Sequence, residues 1–167
     1  PSGAPDGGRL ALARGDCTYF CDIYILDLNA AGSLPVRVAI QAAYPAWSPD
    51  GAKLAYVELS GDDGYHALHV MRIDGSEDLV IVPRDSGGSG IDHPTWSPDG
   101  RKIAFTRRGN VFTVDSDGSL PLQLTSTGNA SSTAWSPDGA WIAVTLWLPQ
   151  GTRNEAVIAL VGSNVTT

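Results

Sequence analysis

A five-residue turn recurs along this chain and constrains its fold more than any other feature. It reads Trp47-Ser48-Pro49-Asp50-Gly51, Trp96-Ser97-Pro98-Asp99-Gly100 and Trp135-Ser136-Pro137-Asp138-Gly139, with a shortened copy, Pro5-Asp6-Gly7, that has lost its Trp. From Pro5 to Pro49, Pro98 and Pro137 the intervals are 44, 49 and 39 residues, a period that marks propellers and solenoids. Each motif residue has a local task. Proline presets φ for the second position of a β-turn, aspartate accepts the third and bonds back to the backbone, and glycine takes positive φ without steric cost. The tryptophan ahead of the turn offers a large apolar plate that can lie between neighbouring sheets. The motif is turn and packing chemistry, so none of its residues is expected to be catalytic.

The segment after each motif glycine repeats too. Arg9-Leu10-Ala11-Leu12, Lys53-Leu54-Ala55-Tyr56, Lys102-Ile103-Ala104-Phe105 and Trp141-Ile142-Ala143-Val144 carry the same alanine in the same place. Later runs, Ile23–Asp27, Leu68–Arg72, Val111–Asp115 and Val157–Val161, are β-branched and aromatic. A last segment recurs three times, around Pro35–Val38, Leu79–Val82 and Leu122–Thr125. Each repeat therefore reads as four short strands, and no window carries a helical period. In the strand after the turn, Leu54 and Tyr56 face one way and Ala55 and Val57 the other, so both faces are apolar and both must be covered. The small alanine lets a neighbouring sheet come close. Radially stacked blades meet that demand.

The expected fold is all-β: a β-propeller of four repeats of four-stranded antiparallel blades, forming an open arc or part of a larger propeller. The whole of 1–167 is one propeller region, with blades near 1–40, 41–84, 91–125 and 131–162. The first repeat is expected to lack its opening strand and its Trp, and the last its closing strand. An open arc leaves an unpaired strand edge at each end. With Pro1 in place of an initiator Met, removal of a leader or upstream region is expected.

Composition narrows the partners. With 43% hydrophobic and 17% charged residues the chain is globular rather than disordered. Eighteen acidic residues against 11 basic ones give a formal charge of −7, which repels phosphate backbones, so nucleic acid is not an expected partner. Fifteen of the acids are Asp and three Glu, which places the acidity in turns. No apolar run approaches the roughly 20 residues of a spanning helix, so no membrane insertion is expected. Cys17 and Cys21 are the two cysteines. Their spacing can close a disulfide across a hairpin loop, pinning the tip more than stabilising the fold, with two unlinked thiols as the alternative.

The Trp-Ser-Pro-Asp-Gly turn and the basic-aliphatic-Ala-aromatic strand after it resemble the WD40-like propeller repeat of the TolB family. That repeat also occurs in the propellers of dipeptidyl peptidase IV, prolyl oligopeptidase and tricorn-type peptidases, and in bacterial surface lipoproteins. The resemblance covers nearly the whole chain and implies a propeller scaffold with loops that bind partners. Tyr44, His93 and Ser132 each precede a repeat Trp by three residues, on what the family layout makes the innermost strand. They are the candidate channel or partner contacts, with strand-end packing as the alternative.

Catalytic and metal sites are not expected. Asp85-Ser86-Gly87-Gly88 matches the string around a trypsin-like nucleophile, but it falls in an inter-blade loop with no His and Asp brought alongside. No Gly-x-Ser-x-Gly elbow is present. His66 and His69 lie three apart on a strand and point to opposite faces. Asp62-Asp63-Gly64 and Asp115-Ser116-Asp117-Gly118 lack the remaining ligands of a calcium loop and read as turns. No cofactor is expected. The leading expectation is an extracytoplasmic, non-catalytic scaffold that binds protein partners, as the family resemblance implies. The alternatives are a self-assembling subunit whose open ends pair strands with further copies of itself, and the propeller gate of a serine peptidase.

Overall fold

The computed structural model describes residues 1–16, 20–60, 65–84, 90–126, 128–147 and 155–160. The described residues form fifteen strands in four antiparallel sheets, each following chain order without crossover. The first sheet holds β1 (Ser2–Gly3), β2 (Arg9–Asp16), β3 (Phe20–Asp27) and β4 (Val36–Ala39). The second holds β5 (Ala42–Trp47), β6 (Lys53–Ser60), β7 (Tyr65–Arg72) and β8 (Leu79–Val82). The third holds β9 (Ile91–Trp96), β10 (Lys102–Arg107), β11 (Asn110–Asp115) and β12 (Leu122–Gln123). In the fourth, β13 (Ala130–Trp135), β14 (Trp141–Leu146) and β15 (Glu155–Leu160) are described. Whether a further strand closes that sheet is a question that falls outside the described residues.

One expectation is corrected. The first repeat does have an opening strand: β1 pairs with β2, Ser2 opposite Ala11 and Gly3 opposite Leu10. In the other sheets Trp47 opposes Leu54, Trp96 opposes Ile103 and Trp135 opposes Ile142. Gly3 thus stands where the other repeats carry Trp. A two-residue strand with no large side chain leaves no pattern to find.

The turn has the geometry its residues dictate. Gly51, Gly100 and Gly139 sit at φ 68°, 71° and 71°, and each donates its N–H to the carbonyl of the motif serine at 2.9 Å. The serine hydroxyl is the hub: Ser97 Oγ donates to Asp99 at 2.6 Å and accepts from the Lys102 N–H at 2.9 Å. Ser48 and Ser136 repeat both bonds. The aspartate also accepts the backbone N–H two residues on, at 3.0–3.1 Å in the three turns.

Three apolar clusters fill the spaces between sheets. Ala11 and Ile23 of the first sheet meet Trp47, Leu54, Tyr56 and Met71 of the second. Ala55, Val57 and Leu59 of the second meet Ile103 and Phe105 of the third. Ala104 and Val111 of the third meet Ile142 and Val144 of the fourth. At each of these junctions the strand after the turn offers its alanine to the next sheet, and β6, β10 and β14 offer larger residues to the preceding one. Ala11, Ala55 and Ala104 are completely buried, which is the physical reason for the repeated alanine.

The tryptophans do more than pack. Trp47 Nε1 donates to the Ser2 carbonyl at 2.9 Å, Trp96 to Ala46 at 3.0 Å and Trp135 to Thr95 at 3.1 Å. Each indole binds the backbone of the preceding sheet. The turns also touch: a Cβ on Gly100 would lie 3.4 Å from Pro49, and one on Gly139 would lie 3.7 Å from Pro98. Arg9 reaches forward over the Trp47 ring, 5.0 Å from its centroid, and donates to the Gly51 carbonyl at 3.3 Å.

The turn carboxylates make acid stability testable. Asp50, Asp99 and Asp138 are each held below the ordinary value of 3.8, first by the serine hydroxyl and then by the backbone N–H two residues on. A carboxyl lowered by folding binds protons more weakly folded than unfolded. Its contribution is complete above the unfolded value, near pH 4, and disappears as pH falls through the folded values. We expect Tm to fall between about pH 5 and pH 2, and an Asp50→Asn, Asp99→Asn, Asp138→Asn variant to show a shallower fall from a lower neutral Tm. An acid profile parallel to that of the parent chain would remove these turns from the acid response.

Candidate functional site

The first strands of successive sheets, β1, β5, β9 and β13, lie side by side along the inner edge of the arc. Two of them contain a proline, Pro45 in β5 and Pro94 in β9. Proline cannot donate to the ladder, so within a sheet it belongs at an edge or a bulge. Both prolines sit at bulges. Between Ala43–Val57 and Ala46–Ala55 the residues Tyr44 and Pro45 oppose only Tyr56. Between Asp92–Thr106 and Thr95–Ala104 the residues His93 and Pro94 oppose only Phe105.

The bulges re-aim side chains. Tyr44 has φ 53° and His93 φ 50°, a left-handed conformation that is uncommon for residues bearing a Cβ. As a result the two rings come together, with centroids 4.6 Å apart and planes at 45°. Burial, and after it the charge of Asp92, pushes the Tyr44 hydroxyl above its usual value.

Tyr44, His93 and Ser132 line one groove of about 330 Å³, with Pro45, Pro94 and Thr133. Ser132 differs from the other two. Its sheet shifts register one residue earlier, between Ala130 and Ser132, where no proline is present. Ser132 Oγ donates to Thr145 Oγ1 of its own sheet at 3.0 Å, and Thr95 and Thr133 hydroxyls meet across the sheets at 3.1 Å. The groove thus offers an aromatic pair and two proline faces beside a few hydroxyls, a surface suited to an extended or aromatic segment of another molecule.

A second polar assembly had no sequence expectation. His69 is buried beneath the Tyr56 ring, with centroids 5.0 Å apart and planes at 29°. Its Nδ1 lies 3.1 Å from Asp78, its Nε2 is 3.3 Å from Glu58, and Arg84 pairs with the same Glu58 oxygen at 2.6 Å. Tyr56 donates its hydroxyl to Asp78 at 2.8 Å. Burial first, then that hydrogen bond and the charges of Asp78 and Glu58, push the Tyr56 hydroxyl far above its ordinary range. Tyr56 and His69 are direct cross-strand partners, a pairing that aligned repeats could have exposed. Asp78 comes from a connecting segment that carries no pattern.

The remaining candidates are dispersed. Cys21 on β3 is completely buried, opposite Gly15, while Cys17 lies outside the described residues. So do Asp62-Asp63-Gly64 and Asp85–Ser89. His66 is half-buried, its Nδ1 3.4 Å from the Ile91 carbonyl. Asp117 turns the chain at Gly118, φ 90°, and accepts the Ser119 N–H at 2.9 Å. Among the described residues no group of three or more His, Cys, Asp or Glu could hold a metal ion, and no helix is long and apolar enough to cross a membrane.

Four antiparallel sheets stacked face to face around an inner edge, each stapled to its predecessor by an indole, define a β-propeller arc. The family described as the TolB β-propeller domain, PD40, matches residues 1–159, and the chain belongs to it. No curated protein matches the chain significantly. Among solved structures, TolB from Acinetobacter baumannii is similar with a TM-score of 0.74 at 22% identity, covering 99% of this chain and 41% of that one. A protein assigned as TolB from Agrobacterium tumefaciens gives 0.74 at 22% identity, covering 95% and 60%. The propeller domain of the trilobed protease from Pyrococcus furiosus, described as having an open velcro topology, gives 0.63 at 17% identity over 98% and 54%. This chain thus spans between two fifths and three fifths of the length of those structures.

Proposed function

We infer that the chain is a non-catalytic, extracytoplasmic interaction module that binds a protein partner along the groove of Tyr44, His93 and Ser132. The observation that carries this reading is the pair of bulges at Tyr44-Pro45 and His93-Pro94. Two aromatic residues are held at φ near +50°, a conformation that costs roughly 1 kcal/mol or more apiece. Packing does not require that strain, since in the fourth sheet Ser132 lies on the same groove without it. Membership of the TolB propeller family supports an extracytoplasmic scaffold. A disulfide between Cys17 and Cys21 belongs to the same proposal, because such bonds persist in oxidising compartments.

A photo-crosslinking residue at position 44 or 93 is expected to capture one defined protein in the native compartment. The same residue at Leu79, exposed on the outer strand β8, is expected to miss it. With that partner purified, Tyr44→Ala combined with His93→Ala should weaken binding by at least about tenfold while leaving the circular dichroism spectrum of the folded chain unchanged, and the native chain should resist thiol alkylation until it is reduced. Equal capture from position 79, or an affinity indifferent to the double substitution, overturns the groove as the binding surface. A thiol that alkylates without reduction overturns the compartment.

A further inference from the structure

The junction between the first two sheets is polar at a place where the next junction is apolar. In the third sheet the cross-strand pair Phe105 and Phe112 stacks, with centroids 5.6 Å apart and planes at 17°, and shares an apolar cluster with Ile81 and Val82 of β8. Pairing register puts Tyr56 and His69 of the second sheet at the same two places, and Ala39 of β4 at the place of Val82. A second phenylalanine pair would fill this junction with no polar atom to satisfy. Instead the sheets enclose a polar pair, and a cavity of about 330 Å³ lies beside it, walled by Ala39 where the next junction has a valine.

The groups facing that cavity are rich in acceptors and short of donors. Asp78 accepts the Tyr56 hydroxyl at 2.8 Å and lies 3.1 Å from His69 Nδ1. A carboxylate cannot donate, so Nδ1 carries the ring proton and Nε2 of the neutral ring is an acceptor. His69 is 8% exposed and lines the cavity, yet its Nε2 makes no hydrogen bond among the described residues, although the Glu58 carboxylate is 3.3 Å away. A buried acceptor without a donor is a cost that phenylalanine at the same place would avoid. The nearby arginines are already paired, Arg37 with Asp22 at 3.2 Å and Arg84 with Glu58 at 2.6 Å. Among the described residues no Lys or Arg pairs with Asp78, whose side chain is 42% exposed. Val38, Ala39, Ile40 and Met71 set an apolar wall beside these acceptors.

We propose that this cavity binds an alkylguanidinium group, its N–H fork on the Asp78 and Glu58 carboxylates and its methylenes along Val38, Ala39 and Met71. A guanidinium carries donors only, which suits a site that offers mainly acceptors, and it is weakly hydrated, which suits one that is half enclosed. A ligand bringing acceptors of its own, such as a sugar, would find few free donors to meet them. The site uses none of the residues of the Tyr44 groove and is independent of that reading.

Met71 is the single methionine of the chain and lines the cavity, so its methyl NMR signal reports on this site alone. Titration with butylguanidinium should shift that signal and saturate below about 10 mM, whereas the uncharged butylurea should leave it in place. Asp78→Asn, which removes the charge, and Ala39→Val, which narrows the space for the methylenes, should each weaken binding by at least about tenfold with an unchanged circular dichroism spectrum. Tyr56→Phe combined with His69→Phe rebuilds the apolar pair of the third sheet and should fold without binding. A capped tripeptide with a central arginine separates the two sources of the group: saturation by the peptide supports a side chain of a partner, and saturation by butylguanidinium alone supports a free small molecule. The absence of a saturable shift with either probe overturns the proposal. So does an equal response to butylurea, which would make the site an apolar cleft, or equal binding by the Asp78→Asn chain or the double phenylalanine chain, which would reduce the effect to general attraction by an acidic protein.

Discussion

Trp47→Ala is expected to lower unfolding stability by roughly 3–5 kcal/mol, the usual cost of removing a buried tryptophan. The indole is 7% exposed, packs with Ala11, Ile23 and Leu54, and carries the Arg9 guanidinium on its face. Its loss opens a void between the first two sheets and leaves the Ser2 carbonyl without its donor. Trp47→Phe separates the two effects. It keeps much of the apolar plate and forfeits the hydrogen bond, so it should cost less than half as much as the alanine variant. Urea unfolding monitored by circular dichroism reads both. A cost below about 1 kcal/mol for Trp47→Ala would mean that the indole is not a junction staple.

Ala104→Leu tests the opposite side of a junction. The alanine is completely buried between the third and fourth sheets, in a cluster with Val111, Ala130, Ile142 and Val144. Three further carbons have no space there unless the sheets separate, and such overpacking costs about 1–3 kcal/mol or more. Because a repeat array is held by neighbour-to-neighbour interfaces, the damage should be local. Hydrogen exchange should report lost protection in β13 and β14, with β2 and β3 little changed. Uniform loss across all sheets, or no loss, would contradict the close-approach role of the alanine.

These two positions show what could be read from sequence and what could not. The turn was legible because its chemistry is local: Ser97, Asp99, Gly100 and Lys102 bond to one another within six residues. The alanine was legible because both faces of its strand are apolar. The acceptors of the indole bonds were not. They are backbone carbonyls 40 to 50 residues upstream, and a carbonyl has no residue identity to search for. The opening strand of the first sheet was hidden by the glycine at position 3.

The groove was partly legible. Tyr44, His93 and Ser132 could be read as equivalent positions of three repeats, but nothing in that alignment put two of them on left-handed backbone. Pro45 and Pro94, each inside a strand, were the available signal. The His69 assembly has no counterpart in the sequence reading, because the separation of His66 and His69 carries meaning there only as metal spacing. Its partners Tyr56, Glu58 and Asp78 arrive through pairing register and a connecting segment.

The direction of the indole bonds gives the arc a polarity in time as well as in space. Every donor lies on the later sheet and every acceptor on the earlier one. During synthesis each emerging sheet therefore finds its carbonyl already laid down, and no finished sheet waits with a stranded indole N–H. Loss of a sheet from the front of such an array exposes the next sheet's indole, its plate and its N–H together, whereas loss from the back uncovers a backbone carbonyl. Each junction is therefore completed by the sheet that is made last.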